Sequence, residues 1–201
     1  MAKALVRRLM TAHGIAPGQR AVIGIAGESG SGKSVTAVAL SRELRDAGFH
    51  PVVLHQDDYF LRPPHSNHAY RLLDLAHVGP HEVDLHRLAE HIGAFRHGLA
   101  NVAIPHVDYA NNRFDVHPTD FGLSDLLIVE GTYVLQLADE DVRVFLSATH
   151  EDTAERRRAR ARDVDAPVMN DILNIEHALI APQAHRADIV IDRDFAIVER
   201  A

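Results

Sequence analysis

Of the 21 basic residues in the chain only Lys3 and Lys33 are lysines, and Lys33 stands in the stretch GESGSGKS, Gly27 to Ser34, directly after the apolar run AVIGIA. Gly27, Gly32, Lys33 and Ser34 satisfy the spacing GxxxxGK[ST], with Gly30 as an additional glycine. The glycines let successive backbone N–H groups turn inward onto phosphate oxygens, and the N-terminus of a following helix adds its partial positive charge. A compact ammonium such as that of Lys33 can reach the β- and γ-phosphates, and the Ser34 hydroxyl suits Mg²⁺. The expected nucleotide cradle is therefore Gly27, Glu28, Ser29, Gly30, Ser31, Gly32, Lys33, Ser34 and Val35.

Three further stretches carry groups that a phosphate loop would need. HQDDYF, residues 55 to 60, offers the adjacent carboxylates Asp57 and Asp58, either of which could accept the proton of an attacking hydroxyl or help to hold the metal, while Tyr59 or Phe60 packs a substrate. An Asp-Asp pair at a strand end also occurs as an ordinary turn. LLIVEG ends on Glu130, a carboxylate placed to meet Mg²⁺ directly or through water. EDTAERRRARARD reads as a helix with Glu151 and Asp152 in its first turn and five arginines behind them. Local pairs to Asp152 and Glu155 account for Arg156 and Arg158, leaving Arg157, Arg160 and Arg162 to face outward or to close over a transferring phosphoryl group.

These groups must be presented by a scaffold, and the hydrophobic pattern supplies one. Residues 20 to 26, PVVLHQ, 101 to 106, DLLIVEG, RVFLSAT and ADIVI read as strands; residues 32 to 46 and VDLHRLAEHIGAFRHG read as helices, and two more helical patterns lie between 150 and 181 around DVDAP. The short, nearly continuous apolar runs belong to strands covered on both faces. This alternation implies an α/β chain with a mostly parallel central sheet whose carboxyl edge carries the ligands. The opening MAKALVRRLMTAHGI has the spacing of an amphipathic helix and lacks the apolar stretch of a signal peptide.

Composition excludes several classes. No apolar run approaches the roughly 20 residues of a membrane span. The absence of cysteine removes disulfides and thiolate chemistry and fits a reducing cytoplasm. A net charge of −7 argues against a nucleic-acid surface. Fifteen histidines are present, but His81, His86, His91 and His97 do not stack on one helical face and no HExxH-type ligand set occurs, so most are expected at the solvated surface.

In combination the motifs resemble the uridine kinase and phosphoribulokinase group over residues 20 to 192: GESGSGKS its phosphate loop, HQDDYF its QD-plus-aromatics segment, IPHVDYANNR its IP-x-x-D-aromatic stretch, IVEG its VEG strand end and APQAHRADIVI its closing strand. The resemblance implies a three-layer P-loop NTPase fold in one domain spanning 1–201, with substrate-side insertions at about 57–82 and 105–122 and an arginine-rich helical lid at about 150–165. It implies ATP and Mg²⁺, with Asp57 as general base and metal contact, Ser34 and Glu130 on the metal and Lys33 on the phosphates. Arg158 and Arg162 are the expected lid contacts, although RRRARARD fits in two registers one residue apart. Asp84 falls where uridine kinases bind the ribose hydroxyls, and Tyr59, Tyr109 and Arg113 complete the expected substrate set. Dimers or tetramers are common in the group, so a homo-oligomer is compatible with the resemblance, although no stretch of the sequence marks an interface.

Val107 and Asn112 replace the tyrosine and histidine that read the pyrimidine in that group. The expected function is thus phosphoryl transfer from ATP to a hydroxyl of a small metabolite, a nucleoside or another ribose- or polyol-containing acceptor. The competing class is a nucleotide-dependent switch, for which no NKxD or LSGGQ-like signature is found. An RNA-binding role for the arginine helix lacks the surrounding cationic and aromatic platform.

Overall fold

The computed structural model describes residues 1–155 and 167–198. Its centre is β1 (Ala21–Gly27), every residue of which is buried. Parallel neighbours flank it on both sides: β5 (Leu126–Glu130), with β2 (Pro51–His55) beyond it, and β6 (Val142–Leu146), followed by β7 (Ile189–Ile191). A short β8 (Ile197–Val198) pairs antiparallel with β7, giving the order β2-β5-β1-β6-β7-β8.

The period of two along a strand divides its side chains between two cores. Val22 and Ala26 of β1, with Leu127 and Val129 of β5, face a layer that includes Leu88, Ile92 and Phe95 of α4 (Leu85–Arg96). Ile23 and Ile25, with Leu126 and Ile128, face the other way, against Leu40 and Leu44 of α2 (Lys33–Asp46). The opening helix α1 (Ala2–Ala12) adds Leu5 and Leu9 to this second core. Each fully buried Leu or Ile contributes about 1.5–3 kcal/mol, so the three-layer body is held mainly by these two faces.

The remaining elements stand on the carboxyl edge. A 3-10 turn at Gln56–Tyr59 leaves β2, and α3 (Pro64–Leu73) follows it. Strand β3 (Val102–Asp108) is not in the central sheet: it forms a separate antiparallel hairpin with β4 (Arg113–Thr119). The reversal uses Asn112 at φ 50, a left-handed conformation that asparagine tolerates better than most residues. Among the described residues the next helix, α5 (Pro167–Ile180), leads to β7. Among the described residues no helix is long and apolar enough to cross a membrane.

Candidate active site

The loop between β1 and α2 is shaped by its glycines. Gly30 and Gly32 adopt φ 80 and 100, which residues with a Cβ reach only with strain. Gly27 is packed so closely that an added Cβ would lie 2.7 Å from the Leu146 carbonyl oxygen. Lys33 begins α2 and folds back to donate from Nζ to the Glu28 carbonyl oxygen at 2.9 Å. The Ser34 hydroxyl donates to Glu130 Oε1, also at 2.9 Å.

Register brings the third partner. His55 and Glu130 are paired across β2 and β5, and His55 Nδ1 lies 2.6 Å from the same Glu130 oxygen. Burial pushes the Glu130 carboxyl up, but the His55 hydrogen bond, the Lys33 charge and the Ser34 hydroxyl outweigh it and hold it below the ordinary value. The same hydrogen bond raises His55. Ser34, Glu130 and the nearby Asp57 form an all-oxygen donor set, the kind a hard cation such as Mg²⁺ takes.

The adjacent aspartates have different surroundings. Asp57 lines a cleft of about 350 Å³ together with Ser29, Gly30, Lys33, Ser34 and Glu130. Its carboxylate meets water through the cleft, yet protein crowds it on the other sides; this burial and the Glu130 charge raise its pKa, with Lys33 and the Tyr109 hydroxyl opposing. Tyr109 donates to Asp57 Oδ2 at 3.3 Å. Asp58 instead accepts the Val107 backbone N–H at 2.7 Å and so ties the hairpin to the turn.

The far wall of the cleft comes from residues that motif reading passed over. Arg71 of α3 forks onto Glu82, with Nε and Nη2 at 2.6 and 3.0 Å from its two oxygens, and reaches Glu176 of α5 at 3.1 Å. Asn67 donates to Glu82 at 2.7 Å. Asn67, Arg71 and Glu176 all line the cleft, as do Phe60, Arg62 and His68. Only the four-residue spacing of Asn67 and Arg71, which puts both on one face of α3, is local; Arg71 and Glu176 are over a hundred residues apart.

The 22–196 stretch of this chain matches the model of the phosphoribulokinase / uridine kinase family. A uridine kinase from Staphylococcus haemolyticus is 31% identical over 183 residues, covering 85% of this chain and 86% of the relative. The chain belongs to this family. It is a small-molecule kinase, transferring phosphate to a hydroxyl. It is also 29% identical over 195 residues, 90% of its length, to a bifunctional α-galactosidase/sucrose kinase from Mediterraneibacter gnavus, of which it spans only 21%. A solved structure described as a possible uridine kinase from Bacillus stearothermophilus superposes with a TM-score of 0.65 at 22% identity, covering 94% of this chain and 96% of that one.

Several expected substrate contacts of the kinase are not at the cleft. Tyr59 is 2% exposed, lies in the core and shares a 2.7 Å hydrogen bond with His91, so Phe60 rather than Tyr59 reaches the cleft. The alternation in QDDYF explains the exchange: a 3-10 turn sends successive residues to different sides. Asp84 caps α4, accepting the Arg87 N–H at 2.9 Å, and is not among the cleft residues. Arg113 is engaged on the hairpin surface by Asp108 and Asp115 at 3.4 and 3.3 Å, because strand pairing keeps it beside those acids. Of the cradle residues, Val35 is 60% exposed at the start of α2, while Ser31 is buried. Arg158 and Arg162 lie outside the described residues.

The pyrimidine-reading positions are also occupied by structural tasks. Val107 is buried, and Asn112 accepts the His65 N–H at 2.8 Å, bracing the start of α3. Gln56 was not singled out by its chemistry, but its side chain accepts the Tyr133 N–H at 2.7 Å and donates to Thr132 at 3.0 Å. A Cβ on Gly131 would run into the Gln56 side chain, which accounts for the glycine after Glu130.

Proposed function

We propose that this kinase uses ATP with Mg²⁺ to phosphorylate a neutral, polyhydroxylated acceptor of the sugar or polyol class. The observation that carries the reading is the cleft itself: Asp57 shares it with the phosphate loop and with Asn67, His68, Arg71 and Glu176, side chains that carry both hydrogen-bond donors and acceptors. Planar side chains of this kind suit neighbouring hydroxyls, whereas the two positions expected to read a pyrimidine serve the hairpin and α3. The relatives are compatible with either acceptor, since one is a uridine kinase and another a bifunctional α-galactosidase/sucrose kinase.

In this reading the loop amides and Lys33 neutralise the phosphates. Ser34, Glu130 and Asp57 would hold Mg²⁺, which supplies charge neutralisation for the leaving phosphates. His55 orients Glu130 through its 2.6 Å hydrogen bond. Asp57 accepts the proton of the attacking hydroxyl, steadied by Tyr109.

The test is ATP consumption by the purified protein with Mg²⁺ against uridine, cytidine, other nucleosides, pantothenate, monosaccharides and disaccharides, with Lys33→Ala as the blank. Turnover with a sugar or polyol and none with the pyrimidine nucleosides is expected. Efficient turnover of uridine or cytidine with no sugar activity would overturn the acceptor assignment while leaving the kinase chemistry in place.

A further inference from the structure

Beside the phosphate loop lies a second cluster that the kinase reaction does not require. Glu28, the loop's second residue, turns its carboxylate away from the cleft wall toward two histidines. His177 Nδ1 of α5 lies 2.6 Å from Glu28 Oε1, and His150 Nδ1, in the turn after β6, lies 3.1 Å from Oε2. The donor atoms of all three residues fall within 4.8 Å of one another. The two imidazole rings meet edge to face with centroids 5.6 Å apart.

We infer that Glu28, His150 and His177 form a binding site for a transition-metal dication of the zinc type. The donor set decides the class of ion. Two imidazoles and one carboxylate suit Zn²⁺, Co²⁺ or Ni²⁺, whereas Mg²⁺ takes oxygen donors and belongs to the Ser34 side of the loop. Position supports it as well: the Glu28 side chain is 6% exposed, His150 13% and His177 43%, a cluster closed on the loop side and open to entry from solvent on one. The His150 backbone N–H, donating to Glu28 Oε2 at 2.6 Å, fixes the carboxylate.

The exchange balances simply. In the bound state each imidazole coordinates through Nδ1 and keeps a single proton on Nε2, any second ring proton leaving to solvent, and the ion replaces the hydrogen bonds that now join the rings to Glu28. Donors on a tetrahedral zinc with bonds of about 2.0–2.1 Å stand somewhat further apart than hydrogen-bonded atoms, so small rotations of the partly exposed His177 suffice. The bound ion would join the phosphate loop to the segments on either side of residues 156–166. A remaining coordination position faces solvent for water.

The experiment uses tag-free, chelator-treated protein titrated calorimetrically with Zn²⁺, and with Co²⁺ for its visible ligand-field bands. Wild type is expected to bind one equivalent with a rise in melting temperature. His177→Gln, which preserves a hydrogen bond to Glu28 but is a poor ligand, should bind at least about tenfold more weakly and lose the Co²⁺ bands, and His150→Gln should do the same. His86→Gln, an exposed histidine of α4, should behave as wild type. Equal affinity and spectra in wild type and His177→Gln, or no equivalent bound by wild type, would overturn the site. Because binding and spectra are read without substrate, failure here leaves the kinase reading untouched.

Discussion

Asp57 and Asp58 are neighbours in sequence with different fates, and the difference is set by what each carboxylate can reach. Asp58 is consumed by the Val107 N–H, while Asp57 opens on the cleft beside Glu130 and Tyr109. Asp57→Asn keeps the size and loses the proton acceptor, so kcat is expected to fall by roughly 10²–10⁴-fold with little change in nucleotide affinity. Single-turnover rates together with equilibrium nucleotide binding check this, and near-normal turnover would remove the general-base role. The same contrast could not have been drawn from the dipeptide alone, since both aspartates are one bond pattern away from either role.

At the scale of elements, the cleft's far wall depends on a charge network joining α3, the Pro80–Glu82 turn and α5. Arg71 sits between Glu82 and Glu176, both buried, and Glu82 also accepts the Gly79 N–H at 2.7 Å. Removing one partner from such an arrangement leaves carboxylates without their compensating charge. Arg71→Ala is expected to destabilise by about 3–5 kcal/mol in denaturant titration. Arg71→Lys should recover only part of this, because an ammonium cannot fork onto Glu82. A loss below about 1 kcal/mol in the alanine variant would show that the network is not anchoring α3.

For the whole molecule, stability and acidity are linked through groups such as His91, which stands on α4 and packs against Tyr59. Burial, assisted by the Arg87 charge, lowers its pKa from the ordinary 6.5. A folded-state pKa below the unfolded one means that the unfolded chain takes up the proton first. Stability from this group is therefore complete above 6.5 and declines as pH falls through the interval down to the folded value. Melting temperatures measured from about pH 7 to about pH 5 should fall less steeply in His91→Gln than in wild type. Identical slopes would exclude His91 as a contributor.

The phosphate loop, the apolar strands and the order of motifs were legible in the sequence because each is local: eight contiguous residues bend one loop, and a strand's burial is written in its own residues. Glu130 was legible as well, as an acid ending an apolar run. The histidines were not. They were expected mainly at the solvated surface, yet His55, His91, His150 and His177 each hold a defined partner, which spacing along the chain cannot reveal. Tyr59, Asp84 and Arg113 mark the converse limit, since a motif position tells which residue type is present and not which way a turn or a hairpin points it. The sequence by itself determined the family, the parallel sheet and the phosphate-handling edge, through covalent neighbours and periodicity. Only the tertiary structure decided which aspartate faces the cleft, what lines the acceptor wall and that Glu28 meets two distant histidines, because those contacts arise where separate elements pack and hydrogen-bonding groups from remote segments must satisfy one another.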